Sequence, residues 1–300
     1  MDVSVIIVNY NTKQLLYDCL KSIYTQTKEI TFEVIVSDNG SVDGSIEMIK
    51  EKFPKVIIVE NKENLGFGKA NNIAAKNARG KYLFFLNSDT LLLNNAIKLF
   101  FDEAEACEEE RILASWLLDI NREIAISYGF FTTFYKHCFM ELYTYFPGVL
   151  KLRRLFIRKK NRKCQKTSLR VDFVSGADLF ISTNVFSRLK GFDPHIFMYY
   201  EDDDLCRRAA EIGCKSFIIE SPEIVHLEGK SSNNSIKKMM IKEKSFLYYL
   251  KKYSSYKTFR IKTTMYNLFI LLCFLATQLT LSEKMDLYIN TKKNIKELEK

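Results

Sequence analysis

Acids and amides stand where apolar runs stop. The stretch FFLNSDT (residues 84–90) closes a run of large apolar residues with Asn87, Ser88 and Asp89, VIVSDNGS (34–41) closes with Asp38, and SVIIVNYN (4–11) closes with Asn9. A carboxylate in such a place can hold a turn or cap a helix. It can equally accept hydrogen bonds from a base or sugar, or ligate a hard cation through oxygen. For Asp38 or Asp89 alone the two readings balance; both together, at successive ends of one sheet, favour a ligand. Further on, Glu201-Asp202-Asp203-Asp204 follows the aromatic run FMYY. Four adjacent acids suit an exposed helix N-terminus, whose dipole favours negative charge. The other reading keeps one of them in a pocket as a general base, its proton affinity raised by its neighbours. His226 ends a short apolar run; it is either a satisfied structural residue or an imidazole completing a divalent site otherwise made of oxygens.

These groups need a scaffold that brings strand ends together. Short β-branched runs at 3–8, 32–37, 56–59 and 82–86 alternate with helical patterns at 13–24, 45–52 and 68–78. Asp43 is placed to cap the second helix and Gly80 to end the third. A β-α-β series of this kind predicts an α/β fold, a largely parallel sheet flanked by helices. In such a sheet ligands bind in the crevice at the carboxyl ends of the strands, where Asn9, Asp38 and Asp89 would lie. Strands are further expected at 111–119 and 123–127, a strand-like stretch at 171–182, a helix at 204–212 and a strand at 215–219.

The chain has 300 residues, 47% of them hydrophobic and 27% charged, with a formal net charge of +9. That composition supports a sizeable core and excludes a disordered chain. Seven scattered cysteines with no C-x-x-C pair point to reduced thiols and a cytoplasmic setting, and away from a zinc ribbon or disulfide frame. The apolar run at 3–8 is too short for a signal peptide and lacks a basic leader, so a strand is expected there. Residues 151–170 hold ten Lys or Arg and no acid; with the aromatic stretch before them they read as an insertion at about 128–170. Beyond residue 229 the chain becomes lysine-rich and helical. The apolar run at 268–281 falls short of the roughly 20 residues that cross a bilayer and suits a core or interfacial helix. The expected organisation is therefore a domain over 1–230 carrying the insertion, then a helical extension over 231–300.

Neither G-x-G-x-x-G after the first strand nor G-x-x-x-x-G-K-[ST] occurs. A dinucleotide fold and a P-loop are thus unsignalled, an oxidoreductase is disfavoured, and bound phosphates would need a metal ion for neutralisation.

Taken together, VSVIIVNYN, VIVSDNGSVDGS, ENLGFGKANNIAAKNARGKYLFFLNSDT, VSGADLFISTNVFSRLKGFDPHIFMYYEDDDLCRRAAEIG and IVHLEGKSS resemble glycosyltransferase family 2, the inverting nucleotide-sugar transferases of the GT-A fold. The nearest likeness is to the bacterial rhamnosyltransferase-type branch. The resemblance covers about residues 3–232, interrupted by the basic stretch. It implies a nucleoside-diphosphate sugar donor, rhamnose by the branch, a hydroxyl acceptor on a glycan or lipid-linked glycan, and a role in bacterial surface polysaccharide synthesis. It also implies that Asp38 holds the nucleotide base with Asn9 nearby, that Asn64 lies in the loop approaching the donor, and that Asp202 deprotonates the acceptor. Asp89 matches the last aspartate of the metal-binding D-x-D motif, and His226 the late histidine of the same site, for Mg2+ or Mn2+. Asn87 stands where that motif has its first acid; an amide can bind ribose or a metal-bound water but brings no charge. The alternative function is a nucleotide-sugar-binding protein without catalysis. The basic stretch and the 268–281 run suit an anionic membrane surface at the inner face of the cell membrane. Nucleic acid is not expected, since no recognised binding motif accompanies the basic residues.

Overall fold

The computed structural model describes residues 1–125, 127–138, 168–227, 235–276 and 281–299. The strands are β1 (Val3–Asn9), β2 (Phe32–Asp38), β3 (Ile57–Glu60), β4 (Tyr82–Asn87), β5 (Thr90–Leu92), β6 (Arg111–Ser115), β7 (Tyr128–Gly129), β8 (Leu169–Val171), β9 (Phe173–Val174), β10 (Asp178–Ser182), β11 (Lys215–Ile219) and β12 (Ile224–His226). The helices are α1 (Lys13–Gln26), α2 (Ser45–Lys52), α3 (Phe67–Ala75), α4 (Ala96–Glu105), α5 (Thr183–Arg188), α6 (Glu201–Glu211), α7 (Ser235–Lys252), α8 (Tyr256–Ala276) and α9 (Leu281–Glu299).

Among the described residues one eight-stranded sheet runs in the order β3-β2-β1-β4-β10-β6-β11-β8. β3, β2, β1 and β4 are mutually parallel. β10 enters antiparallel between β4 and β6, β11 pairs parallel with β6, and β8 closes the edge antiparallel to β11. The inner strands are apolar on both faces because both faces are covered. Val3, Val5, Ile7, Phe84 and Phe180 pack on one side with Leu16, Leu20 and Phe100, and Ile6, Ile35, Phe85 and Leu179 pack on the other with Ala74, Phe192 and Leu205. β5 and β12 form a separate antiparallel pair that holds His226 opposite Thr90.

Several local expectations shift. The strand from 111 stops at Ser115, and the described residues 123–125 and 127 form no strand; Leu118 makes isolated bridges to Ile124 and Val225. The stretch 171–182 breaks at the Ser175–Ala177 loop, dividing β9 from β10. α3 ends at Ala75, five residues before Gly80. Gly80 is instead needed at the sheet, where a Cβ would lie 2.4 Å from the Ser4 nitrogen. Asp43 serves two helices: its Oδ1 accepts from the Ser45 N–H and its Oδ2 from the Lys13 N–H. The basic stretch lies outside the described residues up to 167.

The chain divides into two compact units, Met1–Phe131 with Ser168–Asn233, and Thr132–Thr167 with Asn234–Lys300. The first carries the sheet. In the second, α7, α8 and α9 pack around Phe246, Tyr249, Phe259, Tyr266, Leu287 and Ile295. His137 stacks on Phe246 with ring centroids 3.4 Å apart, and burial holds its imidazole well below the usual histidine range. Among the described residues no helix is long and apolar enough to cross a membrane.

Candidate functional site

Parallel register fixes where the strand-end groups fall. Asn9 is opposite Asp38, and Val8 is opposite Asn87, so the polar ends of β2, β1 and β4 lie side by side at one edge of the sheet. Asp38 is fully buried. Its Oδ1 accepts from the Gly40 and Ser41 N–H groups at 3.1 and 2.8 Å, and its Oδ2 from the Asn9 amide at 2.7 Å. The Asn9 amide also donates to Ser41 Oγ, and Thr12 Oγ donates to Asn9 Oδ1 at 2.6 Å. Asp38 and Asn9 thus shape the loop after β2.

The next loop is fastened to this one. The Asn39 amide donates to Asn64 Oδ1 and to the Gly66 carbonyl, and Asn64 Oδ1 also accepts from the Gly66 N–H at 3.0 Å. Gly66 has φ +80, and a Cβ there would lie 2.2 Å from the Phe197 carbonyl oxygen. Only glycine permits both the left-handed backbone and that approach. Phe67 N–H donates to the same carbonyl at 2.9 Å, tying the loop to the segment entering α6.

Asn87, Asp89 and His226 meet. His226 Nε2 lies 3.2 Å from Asp89 Oδ1 and 3.4 Å from Asn87 Nδ2. A lone pair on Nε2 facing a carboxylate oxygen is repulsive unless a proton or a cation stands between them. A small divalent cation bound by both would hold them at about this spacing, since ligands about 2.1 Å from one octahedral ion lie about 3 Å apart. Carboxylate, diphosphate and water oxygens suit Mg2+ or Mn2+, and an imidazole among them fits the softer Mn2+ better than Mg2+. Among the described residues no three His, Cys, Asp or Glu side chains converge on one point. The protein's share would be two ligands, with diphosphate oxygens and water completing the shell, the usual manner of Mg2+.

The four acids of α6 have four different situations. Asp204 is buried and paired with Arg208 at 2.8 Å, and Arg208 also donates to the carbonyls of Leu189 and Gly191. Asp203 is buried. Glu201 is buried with Oε2 lacking a hydrogen-bond partner; burial first, then the Asp202 charge, raises its carboxyl well above the usual range. Asp202 keeps partial exposure, while dense packing pushes its carboxyl up to about 6 against the pull of the N–H groups of Asp203 and Gly176. The preceding Tyr199 and Tyr200 both have φ 69, a strained arrangement that turns the chain sharply into α6.

A hydrogen-bond path connects this acid to the sheet edge. Asp202 Oδ2 accepts from the Gly176 N–H at 3.2 Å, and the Ala177 carbonyl accepts from the Asn87 N–H at 3.0 Å. Gly176 is packed against the Phe67 ring, where a Cβ would come within 2.9 Å. The base candidate, the Asn64–Phe67 loop and the Asn87–Asp89 turn are therefore neighbours.

Asp178 was not singled out by sequence reasoning. It is fully buried, its Oδ2 accepts from Ser115 N–H and Oγ–H at 2.6 Å each, and its Oδ1 has no hydrogen-bond partner. Burial pushes its carboxyl up to about 7, opposed chiefly by the two Ser115 hydrogen bonds. The one available signal was an acid inside the apolar run ADLFIS, which a buried strand tolerates only with a partner or a purpose.

Residues 4–124 match the model of glycosyl transferase family 2. The chain is 43% identical over 100 residues to an uncharacterized glycosyltransferase, YfnE, of Bacillus subtilis, covering 32% of this chain and 25% of that protein. It is 32% identical over 115 residues to WfaP of Escherichia coli, named a UDP-Glc:alpha-D-GlcNAc-diphosphoundecaprenol beta-1,3-glucosyltransferase, covering 38% of this chain and 44% of that protein. The chain therefore spans less than half the length of either relative. In structure it is similar to the mannosyltransferase PcManGT of Pyrobaculum calidifontis, solved with GDP-Man and Mn2+, with a TM-score of 0.58 over 83% of this chain and 63% of that one; at 18% identity this is a likeness of fold. Residues 4–124 thus match glycosyl transferase family 2, and the mostly parallel eight-stranded sheet around the site has the GT-A fold.

Proposed function

We propose that the protein is an inverting glycosyltransferase that moves a sugar from a nucleoside-diphosphate donor to a hydroxyl of a glycan or lipid-linked acceptor in bacterial surface polysaccharide synthesis. The observation that carries this reading is the path from Asp202 through Gly176 and Ala177 to Asn87, beside the Asp89–His226 pair. It sets a carboxyl raised to about 6 next to a place fit for a diphosphate and its cation. Asp202 accepts the proton of the acceptor hydroxyl, which then attacks the anomeric carbon from the face opposite the leaving diphosphate. A carboxylate with a raised proton affinity is a better base than an ordinary one and is still ionised at neutral pH. Burial and the Asp202 charge raise the Glu201 carboxyl well above its usual range, which opposes a second charge beside Asp202. Asn9, Asp38 and Asn64 hold the two loops that receive the nucleotide. Asp89 and His226 would hold Mg2+ or Mn2+, which when bound offsets charge developing on the leaving diphosphate. WfaP is named for a diphosphoundecaprenol-linked acceptor, which supports the lipid-linked reading and a place at the inner face of the cell membrane. Rhamnose, from the branch resembled, is the first donor sugar to try.

The test is hydrolysis and transfer with a panel of nucleotide sugars, with and without Mn2+. Turnover of at least one donor that Asp202→Asn abolishes supports the reading; donor binding with no turnover under any condition would leave a binding protein instead.

A further inference from the structure

Helix α8 is apolar on two opposite faces. Phe259, Thr263, Tyr266 and Ile270 point inward and are 0%, 2%, 2% and 1% exposed. Half a turn away, Ile261, Met265 and Leu268 recur at i, i+4 and i+7 and are 54%, 45% and 60% exposed. A helix packed on one face in a water-soluble unit normally turns a polar face outward. Single exposed apolar residues need no explanation, but three in one helical stripe form a contact surface.

Charge says what the surface fits. α8 contains no acid at all, and its charged residues near the stripe are Lys257, Arg260 and Lys262. Residues 235–300 hold 14 Lys or Arg against 5 Asp or Glu, a formal +9 that equals the charge of the whole chain, while residues 1–234 balance at 31 and 31. An apolar stripe with cationic flanks on a positively charged helical unit has the make-up of a helix lying in the headgroup region of an anionic bilayer. A second copy of the chain would bring the same positive charge against itself.

We infer that α8 is a membrane-docking helix, which inserts Ile261, Met265 and Leu268 among the acyl chains of an anionic lipid surface while Lys257, Arg260 and Lys262 meet the headgroups. This deepens the proposed function, since a lipid-linked acceptor is presented at such a surface, but it is read without any sugar nucleotide and so fails or stands separately.

The experiment is flotation of the full-length chain with phosphatidylcholine vesicles, with and without phosphatidylglycerol. Binding is expected to the anionic vesicles only and to weaken about tenfold or more in high salt, where screening shortens the reach of the lysines. The variant Ile261→Ser/Met265→Ser/Leu268→Ser should lose about tenfold or more in partitioning. Its circular dichroism should be unchanged because the three side chains are exposed, and Lys257→Gln/Arg260→Gln/Lys262→Gln should reduce anionic selectivity. Absence of binding to anionic vesicles at low salt would overturn the inference, as would equal binding by the stripe variant. So would concentration-dependent dimers in lipid-free sedimentation that the stripe variant abolishes.

Discussion

Asp89 and His226 belong to different strands of one small antiparallel pair, and their side chains meet at 3.2 Å although no local sequence pattern links them. β5 follows directly from the turn that ends β4, and β12 returns the chain to it, so the pairing of Thr90 with His226 aims the imidazole back at the Asn87–Asp89 turn. With the amide of Asn87 beside them, that turn and β12 present one carboxylate and one imidazole at this point.

Asn87→Asp should therefore strengthen Mn2+ binding, about tenfold or more, because it adds a charge beside Nε2. Asp89→Asn or His226→Ala should weaken it by a comparable or larger factor. Titration of the free protein with Mn2+ by calorimetry reads all three, and unaltered affinity in both weakening variants would dissociate this pair from cation binding.

Asp202→Asn should lower transfer by about 10² to 10⁴-fold with donor affinity nearly intact. In the parent, kcat/KM should rise with pH through about 6, since the base works deprotonated and packing holds its carboxyl there. A rate flat from pH 5 to 8, in a chemistry-limited assay, would assign the proton to another group.

Glu201→Gln should leave folding nearly unchanged, because burial raises the Glu201 carboxyl well above its usual range and the amide matches the protonated acid in shape and lack of charge. Glu201→Ala should destabilise by about 1–3 kcal/mol through the space it opens. Urea midpoints of the two variants that coincide would show that the position tolerates a cavity and that its burial matters little.

Gly66→Ala should cost at least about 2 kcal/mol, combining a left-handed backbone with a clash against the Phe197 carbonyl. Because that loop is fastened to the approach of α6, donor affinity should fall as well, and a variant with wild-type stability and affinity would show that the loop relaxes freely.

The buried Asp178 carboxyl makes a pH prediction. Its value of about 7 lies above the ordinary 3.8, so between about pH 4 and 7 the folded protein binds more protons than the unfolded one. The contribution favours folding in full below about pH 4 and is lost as pH rises to 7. Asp178→Asn, which keeps an acceptor for Ser115, should remove that downward slope. Urea midpoints that keep the parent's slope would place the proton elsewhere.

The amino-acid sequence alone was enough for the βα alternation of the first hundred residues, since buried parallel strands are written as unbroken apolar runs and their ends as turn-forming acids and amides. It also marked Asp89, Asp202 and His226 by chemical type. Tertiary structure decided what those groups meet. The insertion of β10 antiparallel between β4 and β6 brings the Ala177 carbonyl to Asn87 and the Gly176 N–H to Asp202, a pairing between segments far apart in the chain that no local periodicity encodes. Packing likewise decided that Asp38 is held by three donors, that the Glu201 carboxyl is raised well above its usual range, that Asp178 is an acid inside the sheet, and that α8 has a second apolar face turned to solvent. Proton affinity and exposure are set by everything packed around a side chain, and that neighbourhood exists only once the chain has folded.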